Sequence, residues 1–176
     1  NKLTLDNTLD KYFPTIPNAS KINIGHLLSH RSGIHNFTDD SLFLTYNQTA
    51  KSQKEMITII ASSAPDFEPN TETAYSNTNY VLLGYIAEMI TKKSYSDLVK
   101  KRIVSKLNLH NTYVGEKTNT GNNECLSYSF INGWKQEPET DMSIPAAAGA
   151  NVSAPVELTR FIEALFAGKL VSVESL

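Results

Sequence analysis

A polar tripeptide stands directly before the longest uninterrupted apolar run of the chain, and this junction constrains the fold most. The tripeptide is Tyr75-Ser76-Asn77, and the apolar run is Tyr80–Ala87. If the tripeptide is extended, Tyr75 and Asn77 project to one side and Ser76 projects to the other. The following helix should begin near Asn77 or Thr78, which are both favourable N-cap types. Because this helix is apolar nearly all round, we expect it to be the most buried helix of the chain.

The same junction has a chemical consequence. A phenol and a carboxamide would lie at the positive end of a helix dipole, where negative charge is favoured. A phenol has a pKa of about 10, so Tyr75 is a useful base at neutral pH only where neighbouring cations hold it as a phenolate. Whether Tyr75 can act as a base therefore depends on the cations around it.

The length, composition and net charge of the chain predict one globular domain and exclude several protein classes. Hydrophobic residues make up 40% of the 176 residues and charged residues 19%, which is typical of a folded chain with a core. The net charge of −2, without a basic cluster interleaved with aromatic residues, argues against a nucleic-acid partner. The longest apolar run is too short to span a membrane. The single cysteine, Cys125, excludes an intrachain disulfide and a paired-thiol metal site, and we expect it to be a buried, inert strand residue.

Hydrophobic periodicity predicts a mainly helical chain. Asn23 is a plausible N-cap for a short helix, Gln53–Ala64 reads as an amphipathic helix, and Ser94–Asp97 resembles a capping box that opens another. Pro155 suits the first position of the last helix. The apolar residues of that helix are expected to face inward; they are Leu158, Phe161, Ile162 and Leu165.

A small antiparallel part accompanies these helices. Thr112–Val114 reads as a short strand, and Leu126–Ile131 and Trp134–Gln136 read as a hairpin because Asn132-Gly133 separates them. Ala146–Asn151 reads as a turn of small residues. The predicted fold class is mainly α with a small antiparallel β part. Trp134 could line a cleft, although a packing role is favoured.

Three separated stretches resemble the sequence pattern of one family, the serine β-lactamase-related proteins. Ile24–Ile34 resembles the LLxHxSGL segment of that family. Tyr75-Ser76-Asn77 with Tyr80–Gly84 resembles its YSNxxYxLLG element, and Ala148–Ser153 with Glu157–Phe161 resembles its aGGlxSTxxDLxrF element. The family includes class C β-lactamases, D-alanyl-D-alanine carboxypeptidases and related esterases. The order and spacing of the three stretches fit, and the resemblance covers essentially the whole chain.

The resemblance implies the helical and lid portion of the α+β β-lactamase/DD-peptidase fold and a serine acyl-enzyme mechanism. Tyr75 would be the general base, held as phenolate by neighbouring lysines, and Asn77 would hydrogen-bond the substrate acyl-amide group and a motif lysine. The implied substrates are β-lactams, D-alanyl peptides or small esters. The family uses no metal or other cofactor at this site. The usual location of its members suggests that this protein is periplasmic, secreted or part of the cell envelope.

Two motifs of the family are absent from these residues. No lysine has a serine three positions before it, and Lys-Thr-Gly does not occur. We therefore expect residues 1–176 to be a single domain-sized unit from the middle of a larger serine hydrolase domain, inactive when isolated. The alternative is a non-catalytic relative that binds peptidoglycan-like or peptide ligands. A Ser-x-x-Lys motif upstream would favour the enzyme.

Five other residues have simpler interpretations. His26 and His30 are spaced as a possible metal pair on one helix face, but roles at the turn after this helix are favoured, for His30 together with Ser32. Arg31 reads as a solvated surface residue. Ala154 stands where the family usually has Thr, which removes a side-chain N-cap worth about 1 kcal/mol.

Overall fold

The computed structural model describes residues 3–175 and is mostly helical. Its α-helices are α1 (Ile24–Leu28), α2 (Phe43–Tyr46), α3 (Gln53–Ser62), α4 (Asn77–Thr91), α5 (Tyr95–Val99), α6 (Ser105–Leu107), α7 (Ala146–Gly149) and α8 (Pro155–Phe166). A π-helical segment, Lys100–Val104, joins α5 to α6. Short 3₁₀ turns lie at Leu9–Lys11, Phe37–Asp39, Thr120–Asn122 and Val173–Ser175. Within the described residues, no helix combines the length and apolar character that crossing a membrane requires.

Among the described residues, four short strands form two antiparallel pairs. They are β1 (Tyr113–Val114), β2 (Tyr128–Phe130), β3 (Trp134–Gln136) and β4 (Asn151–Val152). Strands β2 and β3 form the predicted hairpin, with Asn132 and Gly133 at positive φ in its turn. Strand β1 pairs with β4, so that Tyr113 lies opposite Val152. The predicted fold class, mainly α with a small antiparallel part, is confirmed.

Helix α4 lies at the centre of the core, as its composition predicts. Val81, Leu82 and Ile86 are fully buried and pack in one cluster with apolar residues from the N-terminal segment, α1 and α3. The opposite side of α4 approaches α7 so closely that a Cβ added to Gly84 would lie 2.3 Å from Cβ of Ala147. The junction before α4 is therefore attached directly to the close-packed core.

The predicted helix starts are largely confirmed. Asn23 caps α1 in a capping box with His26, and Ser94 accepts a hydrogen bond from the backbone N–H of Asp97 at the start of α5. Pro155 is the first residue of α8, and its N-cap residue, Ala154, supplies no side-chain hydrogen bond.

The predicted orientation of α8 is wrong in part. Leu158 and Ile162 are exposed, whereas Glu157 and Ala164 are buried. The reason is a buried carboxylate, because Glu157 accepts hydrogen bonds from the segment before β1 and thereby fixes the rotation of the helix. Apolar periodicity identifies a face of a helix but not the group that covers it.

Three local predictions are refined or corrected. Ala146–Gly149, inside the predicted turn of small residues, is one helical turn, and Asn151 begins β4. Cys125 is exposed and lies outside the strands. Trp134 is exposed and packs edge-on against Phe130, with ring centroids 5.2 Å apart, because both side chains project from the same face of the isolated hairpin.

Candidate active site

The tripeptide before α4 is extended and divides its side chains between two sides, as predicted. Ser76 has φ −146° and ψ 121°. Its side chain is 4% exposed, whereas Tyr75 is 69% exposed. The Tyr75 hydroxyl donates a hydrogen bond to Asn77 Oδ1 at 3.1 Å. The two residues that the sequence nominated are therefore adjacent on the surface, with the phenol accessible to a ligand.

The side chain that caps the start of α4 belongs to another part of the chain. The N-cap position is Ser76, whose side chain makes no capping bond, so the expected local cap by Asn77 or Thr78 is wrong. Instead, Asn36 Oδ1 accepts a hydrogen bond from the Asn77 backbone N–H at 3.0 Å. An oxygen acceptor at this place satisfies one of the free N–H groups of the first helical turn.

The segment that contains Asn36 is bound to α4 at further points. Asn77 Nδ2 donates to Asn36 Oδ1 at 3.3 Å and to Thr38 Oγ1 at 3.2 Å. The Thr78 hydroxyl donates to the His35 carbonyl at 2.7 Å and accepts from the Phe37 N–H at 3.2 Å. These bonds fix the first turn of α4 against residues 35–38.

The His30 ring supports the backbone in front of α4. His30 Nδ1 accepts a hydrogen bond from the Ser76 N–H at 3.2 Å and lies 3.2 Å from Asn79 Nδ2. A backbone N–H can only donate, so Nδ1 carries no proton in this arrangement. The ring also contacts the rings of Tyr75 and Tyr80, with centroids 4.7 and 5.1 Å away. His30 thus fixes both the backbone and the ring of the candidate base.

The predicted turn role is confirmed for Ser32, whereas His30 satisfies a backbone N–H in front of α4 rather than one at the turn after α1. Ser32 Oγ accepts from the Ile34 N–H at 3.1 Å and donates to Asn79 Oδ1 at 2.5 Å. His26 uses its Nδ1 at the start of α1, where it accepts from the Asn23 N–H. Among residues 3–175, no group of three or more His, Cys, Asp or Glu side chains is arranged to hold a metal ion.

Arg31 binds the loop before Tyr75, so the expectation of a solvated surface residue is wrong. Its Nε and Nη2 donate to the side-chain and backbone oxygens of Asn70, each at 2.8 Å, and its Nη1 lies 3.3 Å from Thr73 Oγ1. The planar guanidinium can bind both oxygens of one residue at once. Arg31 therefore fixes the direction from which the chain reaches Tyr75.

An ion-pair cluster forms beside this framework. His35 Nδ1 lies 2.7 Å from Asp66 Oδ1, and His35 Nε2 lies 3.6 Å from Asp40 Oδ1. The hydrogen bond to Asp66 raises the pKa of His35 above its ordinary value, and the neighbouring aspartates add to this increase against the opposing effect of partial burial. The cluster joins the 35–40 segment to the loop before Tyr75.

Sequence reasoning identified Tyr75 and Asn77 but missed Asn36, Thr38 and Arg31. These three residues act through side-chain contacts with groups about forty positions away along the chain. No spacing rule connects such positions. The one available signal was their place within or just after the stretch Ile24–Ile34, which resembles a family segment.

Comparisons with known proteins identify the family of the chain. A family model described as Beta-lactamase matches residues 1–176. A beta-lactamase from Psychrobacter immobilis is 28% identical, and the match covers 98% of this chain and 41% of that protein. The structure of a D-amino acid amidase from Ochrobactrum anthropi SV3, complexed with L-phenylalanine, superposes with a TM-score of 0.85 at 31% identity, over 98% of this chain and 50% of that one. A D-stereospecific amidohydrolase from Streptomyces sp. gives a TM-score of 0.85 at 28% identity, over 99% of this chain and 56% of that one. The chain thus spans about half the length, or less, of these proteins.

Proposed function

The chain belongs to the beta-lactamase family, and on that premise we propose that it is part of a serine acyl-enzyme hydrolase in which Tyr75 is the general base and Asn77 positions the substrate. One observation carries this assignment. The Tyr75 hydroxyl and the Asn77 carboxamide are hydrogen-bonded to each other at the solvent-exposed start of the most buried helix. A rigid, exposed pair of this kind suits proton transfer and substrate binding.

The proposed chemistry has two steps. In the first, the phenolate of Tyr75 accepts the proton of a serine hydroxyl while the serine oxygen bonds to the acyl carbon of the substrate. The bond from that carbon to the leaving group then breaks, and Tyr75 passes the proton to the leaving group and returns to the phenolate. In the second, Tyr75 accepts a proton from water, whose oxygen bonds to the same carbon. The bond from that carbon to the serine oxygen then breaks, and Tyr75 returns the proton to the serine. Both steps require cations that favour the phenolate.

We place the serine and these cations outside the 176 residues. The sequence contains neither Ser-x-x-Lys nor Lys-Thr-Gly. Within residues 3–175, the hydrogen-bond partner of the Tyr75 hydroxyl is Asn77, and no lysine or arginine bonds to it. We therefore propose that the chain is a domain-sized part of the catalytic unit and is inactive when isolated.

The substrates we propose are amides, lactams and esters with a D-configured residue at or next to the reacting bond. This class includes β-lactams, D-alanyl peptides and D-amino acid amides, and small esters are a further proposed substrate. It is supported by the resemblance to a beta-lactamase, a D-amino acid amidase and a D-stereospecific amidohydrolase. Such substrates suit a protein of the cell envelope or one that is secreted, which is the location we propose.

The experiment that tests this function uses the full-length protein. A fluorescent penicillin and D-phenylalanine amide serve as substrates, and the mass of the protein reports acylation. We expect a covalent adduct with the wild type, and a loss of about 10²–10⁴-fold in rate with Tyr75→Phe. Tyr128→Phe is the matched control, because Tyr128 is an exposed tyrosine of β2.

Two results would contradict the proposal. One is a Tyr75→Phe variant that hydrolyses substrate at the wild-type rate. The other is a full-length protein that binds peptidoglycan fragments but forms no adduct with either substrate, which would instead identify a binding protein. Hydrolysis by the isolated 176 residues that disappears in Tyr75→Phe would overturn the predicted inactivity.

A further inference from the structure

The orientation of the Asn77 side-chain amide follows from one unambiguous donor. The backbone N–H of Asn77 can only donate, so the Asn36 side-chain atom 3.0 Å away must be the oxygen. The Asn77 side-chain atom that lies 3.3 Å from the same oxygen must then be Nδ2, because two acceptors would repel each other. This leaves Asn77 Oδ1 facing the Tyr75 hydroxyl at 3.1 Å.

Thr38 provides a second acceptor for the same amide nitrogen. Its Oγ1 lies 3.2 Å from Asn77 Nδ2, so each of the two amide hydrogens has an oxygen partner. Asn36 itself is 7% exposed, and its carbonyl accepts from the Asp39 N–H at 2.9 Å in the 3₁₀ turn. Because residues 35–38 are also bonded to Thr78, they form a fixed support for the carboxamide.

We propose that Asn36 and Thr38 are positioning residues that hold the Asn77 carboxamide with its oxygen toward Tyr75, so that Asn77 offers the site a hydrogen-bond acceptor. The catalytic meaning of this arrangement depends on the proposed function. With both amide hydrogens engaged, Asn77 presents its oxygen to a donor, either an ammonium group or an amide N–H. When Tyr75 is a phenolate, its oxygen and Asn77 Oδ1 are two neighbouring acceptors that such a donor can bridge.

A structural measurement tests the orientation without requiring activity. In full-length protein labelled with ¹⁵N-asparagine, we expect the Asn77 amide protons to show nuclear Overhauser contacts to the Thr38 methyl group. Thr38→Val removes the hydroxyl but keeps the shape, so the exchange of these amide protons with solvent should become faster. Contacts from the amide protons to the Tyr75 ring, instead of to residue 38, would overturn the proposal.

Kinetics with matched variants test the positioning role. Thr38→Val should lower kcat/KM by about three- to tenfold, the loss typical of one neutral hydrogen bond, while Thr38→Ser should retain the wild-type value. Asn36→Asp keeps the acceptor and should retain more activity than Asn36→Leu. Thr58→Val is the control, because the Thr58 hydroxyl is exposed and bonds to its own helix at Lys54.

A substrate pair separates positioning from a general loss of structure. An N-acyl-D-alanyl ester with a free amide N–H should be preferred over its N-methyl counterpart, and this preference should decrease in Thr38→Val. An unchanged preference, or equal activity of Thr38→Val and Thr38→Ser, would refute the positioning role. If the wild type hydrolyses no substrate, the proposed function fails, while the nuclear Overhauser contacts still decide the orientation.

Discussion

At the scale of single residues, the buried carboxamide of Asn79 links two parts of the site framework. Its Oδ1 accepts from Ser32 Oγ at 2.5 Å, and its Nδ2 lies 3.2 Å from His30 Nδ1. The side chain is 1% exposed. Removing one member of such a pair leaves the other without a partner, and that loss outweighs the net value of the bond itself.

We therefore expect Asn79→Leu to lower the free energy of unfolding by about 1–3 kcal/mol, measured by urea denaturation. Ser32→Ala should also destabilise the protein, because Ser32 serves the Ile34 N–H as well. The double variant should lose less than the sum of the two single losses, by at least about 0.5 kcal/mol. Strictly additive losses would show that the Ser32–Asn79 bond contributes no coupling.

The residue scale also shows what sequence could and could not reveal about the site. Tyr75 and Asn77 were identifiable because one motif holds both, and the extended backbone places them on one side. Asn36 and Thr38 were not identifiable, since a polar residue in a loop gives no sign of its partner. The orientation of the Asn77 carboxamide depends on those two partners, so it required the folded chain.

At the scale of elements, the start of α8 is the clearest place at which a single substitution should increase stability. Its N-cap residue, Ala154, has an extended backbone with φ −108° and ψ 148° and gives no side-chain hydrogen bond. A β-branched hydroxyl residue fits this conformation and can accept from the N–H of the second or third helical residue.

Ala154→Thr should stabilise the protein by about 1 kcal/mol, which corresponds to a rise in Tm of about 2–4 °C for a domain of this size. Differential scanning calorimetry measures the change. Ala154→Val is the matched control because it has the same branching without the hydroxyl, and it should leave Tm close to the wild-type value. Equal Tm increases in both variants would assign the gain to packing rather than capping.

The elements differ in how far their sequence determines them. Helices α1 and α3 follow from local capping and periodicity, and α4 follows from its apolar composition. The structure confirms all three helices, although the side chain that caps α4 comes from Asn36. The rotation of α8 does not follow, because the buried carboxylate of Glu157 turns that side of the helix inward. Its three partners lie more than forty residues earlier in the chain, at His110, Asn111 and Thr112.

At the scale of the whole molecule, two titratable side chains connect segments that are distant in sequence, and their pKa values shift in opposite directions. The hydrogen bond from the Thr112 hydroxyl, with the N–H groups of His110 and Asn111, lowers the pKa of Glu157 from 4.5 to about 2. The hydrogen bond to Asp66 raises the pKa of His35 above 6.5. Both shifts favour the charged form in the folded state.

The sign of each contribution to stability follows from these shifts. Glu157 binds a proton more readily in the unfolded chain, so its contribution is present above pH 4.5 and is lost as the pH falls toward 2. His35 holds its proton more tightly in the folded chain, so its contribution is complete below pH 6.5 and is lost as the pH rises through its folded pKa. Together, Glu157 and His35 make the folded protein most stable between about pH 4.5 and pH 6.5.

We therefore expect the free energy of unfolding of the protein to be greatest between about pH 4.5 and 6.5 and to fall on both sides, as measured by urea denaturation across the pH range. Glu157→Gln should make the acid decline shallower without removing it, because Glu55 and Glu124 also have lowered pKa values. His35→Gln should flatten the decline above pH 6.5 and leave the acid side unchanged. A His35→Gln profile parallel to that of the wild type above pH 6.5 would show that the His35–Asp66 pair does not contribute to the pH dependence of folding.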